Sequence, residues 1–155
     1  MDSRRATWAV LVLAFIASCI VLAVVGTLLL PAGAALQGGA APQPAGPLAT
    51  VLTGLGVATV LAGLAIFHAK AGAHEREMQA SSDRTAAGAF QTTTVIALAL
   101  IESGPVFGLV IRLLTGSTTQ LVALAGLGVL SIAGGVLPRG LSIWAAARMQ
   151  SPPAP

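Results

Sequence analysis

Four long apolar runs constrain the fold more than any other feature of this sequence. They cover residues 6–30, 48–67, 91–114 and 121–137. Each falls in the range of about 17–25 residues that lets a helix cross a hydrocarbon core of ~30 Å. Because backbone groups in lipid must pair within their own segment, all four runs predict helices. The expected fold is therefore all-α, an integral membrane protein with four transmembrane helices.

The composition agrees with a lipid environment and argues against a nucleic-acid partner. Charged residues make up only 8% of the chain, whereas soluble domains carry about 25%. The net charge is +3 and the basic residues are scattered, which is not the clustered footprint of a nucleic-acid-binding protein. The sequence contains no phosphate-binding loop, nucleophile–base set or Cys/His cluster, so we expect no catalytic site, cofactor or metal.

Three regions follow from the runs and their connections. Residues 1–47 comprise the first helix and an uncharged Pro/Gly/Ala loop, and 48–114 comprise two helices joined by a charged loop over 68–90. Residues 115–155 comprise the fourth helix, a short interfacial segment and a tail that we expect to be disordered. The first run exceeds the roughly 7–15 residues of a signal-peptide core, which favours a retained helix.

The basic residues predict the orientation. For four spans, nearly all of them fall on one side of the membrane: Arg4, Arg5, Lys70, Arg76, Arg84, Arg139 and Arg148. Since cytoplasmic loops carry the excess of Lys and Arg, both termini and the loop 68–90 should be cytoplasmic. Trp8 and Trp144 are the strongest candidates for anchors at the membrane interface.

One acidic residue, Glu102, interrupts the third run at its middle. An ionised carboxylate at that depth costs roughly 2.5–3.5 kcal/mol on insertion scales, so the protonated form is cheaper and a functional role is expected. Pro105 has no N–H, which frees the carbonyl of Ile101, and Ser103 adds a hydroxyl. Glu102, Ser103 and Ile101 are therefore the candidate ion-binding residues, either as part of an oxygen cage or around a protonated carboxyl.

Small residues and a proline mark expected helix–helix contacts. Helices in membranes associate largely through close packing, which small side chains permit. The candidates for such packing positions are Gly54, Gly56, Gly63, Gly104, Pro105 and Gly108.

The stretch "QTTTVIALALIESGPVFGLVIRLL" resembles the second helix of the rotary ATP synthase c subunit, the proteolipid. That helix runs from paired threonines through Ala-Leu to the ion-binding carboxylate, and then to an aromatic residue and Gly-Leu-Val-Ile. The matching positions here are Thr92, Thr93, Ala99, Leu100, Glu102, Phe107, Gly108, Leu109, Val110 and Ile111. The resemblance is clear over 91–114 and looser over 48–114.

This resemblance implies a function and partners. Helices two and three would form an antiparallel hairpin like that of the c subunit, and Glu102 would bind and release H⁺ in a rotary-type complex. The chain would form a homo-oligomer and associate with other membrane subunits, without a catalytic site of its own. Na⁺ is disfavoured, because the glutamine of Na⁺-binding members has no counterpart in 66–72, the segment expected to face Glu102.

Two other interpretations stay open at this point. The protein is alternatively a small non-transporting scaffold or assembly protein in which Glu102 forms a helix–helix contact. A small proton-coupled transporter is the third possibility. The sequence pattern alone is compatible with each, because all three place an acidic side chain inside a membrane helix.

Overall fold

A computed structural model of the protein describes residues 2–28, 46–80 and 84–149. The helices are α1 (Asp2–Leu28), α2 (Pro47–Ala80), α3 (Arg84–Thr115), α4 (Thr118–Ser131) and α5 (Leu137–Met149), with a π-helical turn at Ile132–Val136 between the last two. Most of the predicted Pro/Gly/Ala loop and the predicted disordered tail lie outside the described residues.

The prediction of an all-helical chain with four spans is confirmed for the part of the chain that the structure describes. Four stretches there are long and apolar enough to cross a membrane: Ser3–Leu28, Pro47–Met78, Thr85–Thr115 and Thr118–Ala147. The last stretch combines α4, the π-helical turn and α5. This arrangement fits a multi-pass integral membrane protein.

The helices extend well beyond the apolar runs. α2 has 34 residues and α3 has 32, so each is roughly 50 Å long at 1.5 Å per residue. Most of the segment 68–90, expected to be a loop, is therefore helical, and only 81–83 separate the two helices. The reason is local, because the Ala, Glu, Arg, Met and Gln residues of this segment are strong helix formers.

The fourth span changes its helical pitch at Ile132–Val136. The amide of Leu137 donates a hydrogen bond to the carbonyl of Ile132, five residues earlier. Pro138 follows directly and has no N–H to offer to Gly134, which disfavours regular α-helical pairing here. The helix then continues to Met149, so the segment expected at the interface extends the fourth span.

α1 and α3 run side by side in the same direction. Hydrogen bonds join residues of α1 to residues 84–87 positions later in α3: Arg4 with Gln91, Trp8 with Thr94, Ser18 with Glu102, and Thr27 with Arg112. The near-constant offset shows that the two helices keep one register along their length.

α2 makes the most extensive helix–helix contact in the described bundle, and its partner is α3. The contacts pair high numbers on α2 with low numbers on α3: His74 with Thr93, Gly63 with Ala97, and Val60 with Gly104. On another side of α3, Gly108 lies against Leu121 of α4. α3 is thus the central helix of the bundle.

An aromatic cluster, defined as Trp8, Phe67, Phe90 and Trp144, closes the end of the bundle where α1 and α3 begin. The ring of Phe90 lies 6.1 Å, centroid to centroid, from each of the other three. The exposed fractions of Trp8 and Trp144 are 0% and 1%. The prediction that these tryptophans anchor the chain at the lipid interface is therefore wrong, because both rings pack against protein.

Candidate ion-binding site around Glu102

Glu102 lies near the middle of the candidate span Thr85–Thr115 and is half-buried. Its carboxyl oxygen Oε1 accepts a hydrogen bond from the hydroxyl of Ser18, which comes from the middle of α1. Ser18 is half-buried as well. The acidic group is thus held between two helices, near the middle of a candidate membrane span.

The chemistry of this pair suits a group that changes its protonation state. A serine hydroxyl carries one donor and two acceptor lone pairs. It can donate to a carboxylate, as the geometry has it, or rotate and accept the proton of a carboxylic acid. Ser18 can therefore form a hydrogen bond with Glu102 whether the carboxyl group is ionised or protonated.

The other two predicted ligands have different surroundings. The hydroxyl of Ser103 donates to the carbonyl oxygen of Leu100, 2.6 Å away and on its own helix. The side chain of Ile101 is fully buried, and α3 continues through Pro105, which has no N–H for the Ile101 carbonyl. As ion ligands, Ser103 and Ile101 stay predictions.

The segment of α2 at the level of Glu102 is not the one expected. A Cβ built on Gly63 would lie 2.9 Å from Ile101 and 2.6 Å from the carbonyl oxygen of Ala97. Residues near 63 therefore lie at the level of Glu102, whereas the expected segment 66–72 contains Phe67 of the aromatic cluster. The physical reason is that the connection lies at 81–83, so positions equally far from it on the two helices meet.

Five of the six predicted packing residues lie at helix contacts. A Cβ on Gly108 would be 2.8 Å from the Cα of Leu121, which only glycine permits at that spacing. Gly56, Gly63 and Gly104 also lie close to neighbouring helices, and Pro105 lies beside Gly128. Gly54 differs, because an added Cβ there meets nothing within 4 Å in the described chain. It therefore serves no packing contact in that part of the structure.

Sequence reasoning missed Ser18. It is the one hydroxyl side chain between Thr7 and Thr27, so its isolation in an apolar run was a usable signal. The adjacent Cys19 is buried and its sulfur lies 3.5 Å from a Cβ built on Gly128 of α4. The sequence did not indicate that the hydroxyl of Ser18 bonds to α3, because Ser18 and Glu102 are 84 residues apart.

Arg112 lies toward the opposite end of α3 from the aromatic cluster. Its guanidinium is buried and donates to the carbonyl oxygens of Thr27, at 3.3 Å, and Gly116, at 3.4 Å. Thr27 belongs to the last turn of α1, where helix carbonyls carry partial negative charge. Ten helical residues, about 15 Å, separate Arg112 from Glu102 along α3.

No protein-family model matches the chain, and searches of curated proteins and solved structures found no match. The resemblance of residues 91–114 to the proteolipid helix therefore stays an expectation. The function has to be argued from the chemistry of Glu102 and its surroundings.

Proposed function

We propose that this protein is a proteolipid-like membrane subunit that binds and releases H⁺ at Glu102, within a rotary-type ion-translocating complex or a divergent relative of one. The observation that carries this proposal is the position of an acidic side chain near mid-span, in contact with a hydroxyl of another helix. Acidic side chains at this depth are costly and mark ion pathways by default.

The surroundings favour H⁺ over Na⁺. A hard cation needs several oxygen ligands converging on one point. Ser18 supplies one hydroxyl to Glu102, while the hydroxyl of Ser103 is engaged with its own helix. A proton needs only the carboxylate itself and one hydrogen-bond partner.

The proposal includes a c-subunit-like antiparallel hairpin formed by α2 and α3. Support comes from the order of their contacts, which pair high numbers on one helix with low numbers on the other. Such a subunit would assemble into a homo-oligomer and would need another membrane subunit to supply access paths for the proton. The two termini and the connection between α2 and α3 would face the cytoplasm, as the basic residues favour.

One observation favours a second candidate, a non-transporting scaffold. The bond from Ser18 to Glu102 joins two helices, and polar side chains can hold membrane helices together. In that case Glu102 would serve assembly of the bundle and would not exchange its proton.

Labelling with a hydrophobic carbodiimide tests the proposal, because the reagent attacks a protonated carboxyl in an apolar site. We expect Glu102 to be modified in the detergent-solubilised protein, faster at low pH than at high pH. Glu102→Gln should abolish the labelling. The matched control, Glu77→Gln, removes an exposed glutamate near the end of α2 and should leave the labelling intact.

Proton flux in reconstituted vesicles and the oligomeric state complete the test. If Glu102 is modified no faster than Glu77 at any pH, and Glu102→Gln only lowers stability, the scaffold is favoured. A monomer that still moves protons would favour a small transporter over a ring. An oligomer that resists SDS, with labelling at Glu102, would support the proposed subunit.

A further inference from the structure

A groove of about 650 Å³ opens on the surface of the bundle between α1 and α3. It lies at the end where both helices begin, and its lining residues Thr7 and Gln91 adjoin Trp8 and Phe90 of the aromatic cluster in the sequence. This feature is separate from Glu102, which lies further along α3. The inference below therefore does not depend on the proposed function.

One end of the groove is polar and positively charged. Arg4, Thr7, Gln91 and Thr92 line it, and the amide of Gln91 donates to the carbonyl oxygen of Arg4 at 3.0 Å, which fixes the two walls relative to each other. This end therefore suits an anionic group. The neighbouring residue Arg5 does not belong to the lining.

The other end of the groove is apolar. Leu11 continues the α1 wall, and Val95 and Ile96 continue the α3 wall. Because the two helices run in the same direction, these residues lie further into the candidate spans than Arg4. The groove thus changes from charged to apolar along the path that a lipid takes from head group to acyl chain.

A glycine keeps the groove open at its charged end. Gly88 lies in the lining, and a Cβ built on it would be 3.8 Å from Nη1 of Arg4. This spacing is ordinary van der Waals contact, so alanine fits there. A larger side chain at position 88 would instead extend into the space beside the guanidinium.

We propose that this groove binds an anionic phospholipid, with the head-group phosphate at Arg4 and an acyl chain along Leu11, Val95 and Ile96. Charge complementarity supports an anionic lipid over a zwitterionic one, because basic residues at a membrane surface attract anionic head groups. The apolar half supports a lipid over a free phosphate ion.

Native mass spectrometry of the full chain tests the site, using neutral detergent micelles doped with phosphatidylglycerol or phosphatidylcholine. The wild type should retain phosphatidylglycerol in preference, and Arg4→Gln should weaken that retention about fivefold. Arg5→Gln, which removes the same charge outside the groove lining, should change it less than Arg4→Gln does. Gly88→Leu should also lose the lipid, and Gly88→Ala should keep it.

Several results would overturn the proposal. Equal losses for Arg4→Gln and Arg5→Gln would mean a diffuse surface charge and no site. Stabilisation of the protein against heat by inorganic phosphate as strongly as by phosphatidylglycerol would mean an anion site without a lipid chain. Unchanged lipid retention in Gly88→Leu, with a helical circular dichroism spectrum, would place the lipid elsewhere. If Gly88→Leu fails to fold, the two arginine variants decide the question.

Discussion

The aromatic cluster and the Glu102 site are held together by opposite means. The cluster packs three large rings, from α1, α2 and α5, around Phe90 of α3, and Glu75 pairs with Arg139 at 2.6 Å near the same end. At Glu102, a single hydrogen bond from Ser18 bridges α1 and α3. The glycines nearby allow close backbone approach and add little side-chain contact.

We expect the two regions to contribute unequally to the stability of the protein. Large rings in mutual contact gain many small dispersion interactions, and the removal of one ring leaves a cavity. A lone interhelical hydrogen bond in a membrane contributes only about 0.6 kcal/mol on average. The cluster should therefore dominate the free energy of unfolding, and the hydrogen bond at Glu102 should contribute little to it.

The largest expected effect comes from Phe90→Ala. Removing the ring at the centre of the cluster should lower the free energy of unfolding by about 3 kcal/mol, because the three neighbouring rings lose a partner. Unfolding of the detergent-solubilised protein by SDS, followed by tryptophan fluorescence, measures this. The pH dependence of Glu102 labelling should stay as in the wild type, and a shifted dependence would show that the two regions are coupled.

Replacing Gly63 should have an intermediate effect. In Gly63→Ala the new Cβ would lie 2.6 Å from the carbonyl oxygen of Ala97, so α2 and α3 must separate, at a cost of roughly 1–3 kcal/mol. Gly54→Ala is the matched control, because its Cβ meets no atom of the described residues within 4 Å. Equal destabilisation by the two variants in the same SDS titration would contradict the close contact at Gly63.

Ser18→Ala should have the smallest effect on stability and a clear effect on chemistry. We expect a loss of about 0.5–1 kcal/mol in the free energy of unfolding. Carbodiimide should modify Glu102 faster, because its oxygen Oε1 is no longer in contact with the hydroxyl of residue 18 and is open to the reagent. Ser103→Ala is the control, since that hydroxyl bonds its own helix, and its labelling rate should match the wild type. A loss of stability without a change in labelling would favour the scaffold.

The sequence predicted the spans more accurately than their ends. Apolar runs mark where a helix can cross lipid, but the charged residues of 68–80 continue α2 without interrupting it. Hydropathy cannot separate a helix that leaves the membrane from a loop, because both are polar. Helix propensity was the relevant signal for Ala80 and the residues before it.

The burial of the tryptophans illustrates a second limit of sequence reasoning. A tryptophan near the end of an apolar run is typical of an interfacial anchor. Trp8 instead donates a hydrogen bond to the buried hydroxyl of Thr94, and Trp144 packs on Phe90. Both contacts join residues far apart in the chain, so no local pattern indicates them.

By itself the sequence determined that this chain forms membrane-length helices and that Glu102 falls near the middle of one. Both are local properties, set by the length of an apolar run and the position of one residue within it. Only the tertiary structure decided that Ser18 meets Glu102, that residues near 63 lie at its level on α2, and that the tryptophans are buried. The physical reason is that these contacts depend on the connection at 81–83 and on the register between helices. Local hydropathy carries no information about either.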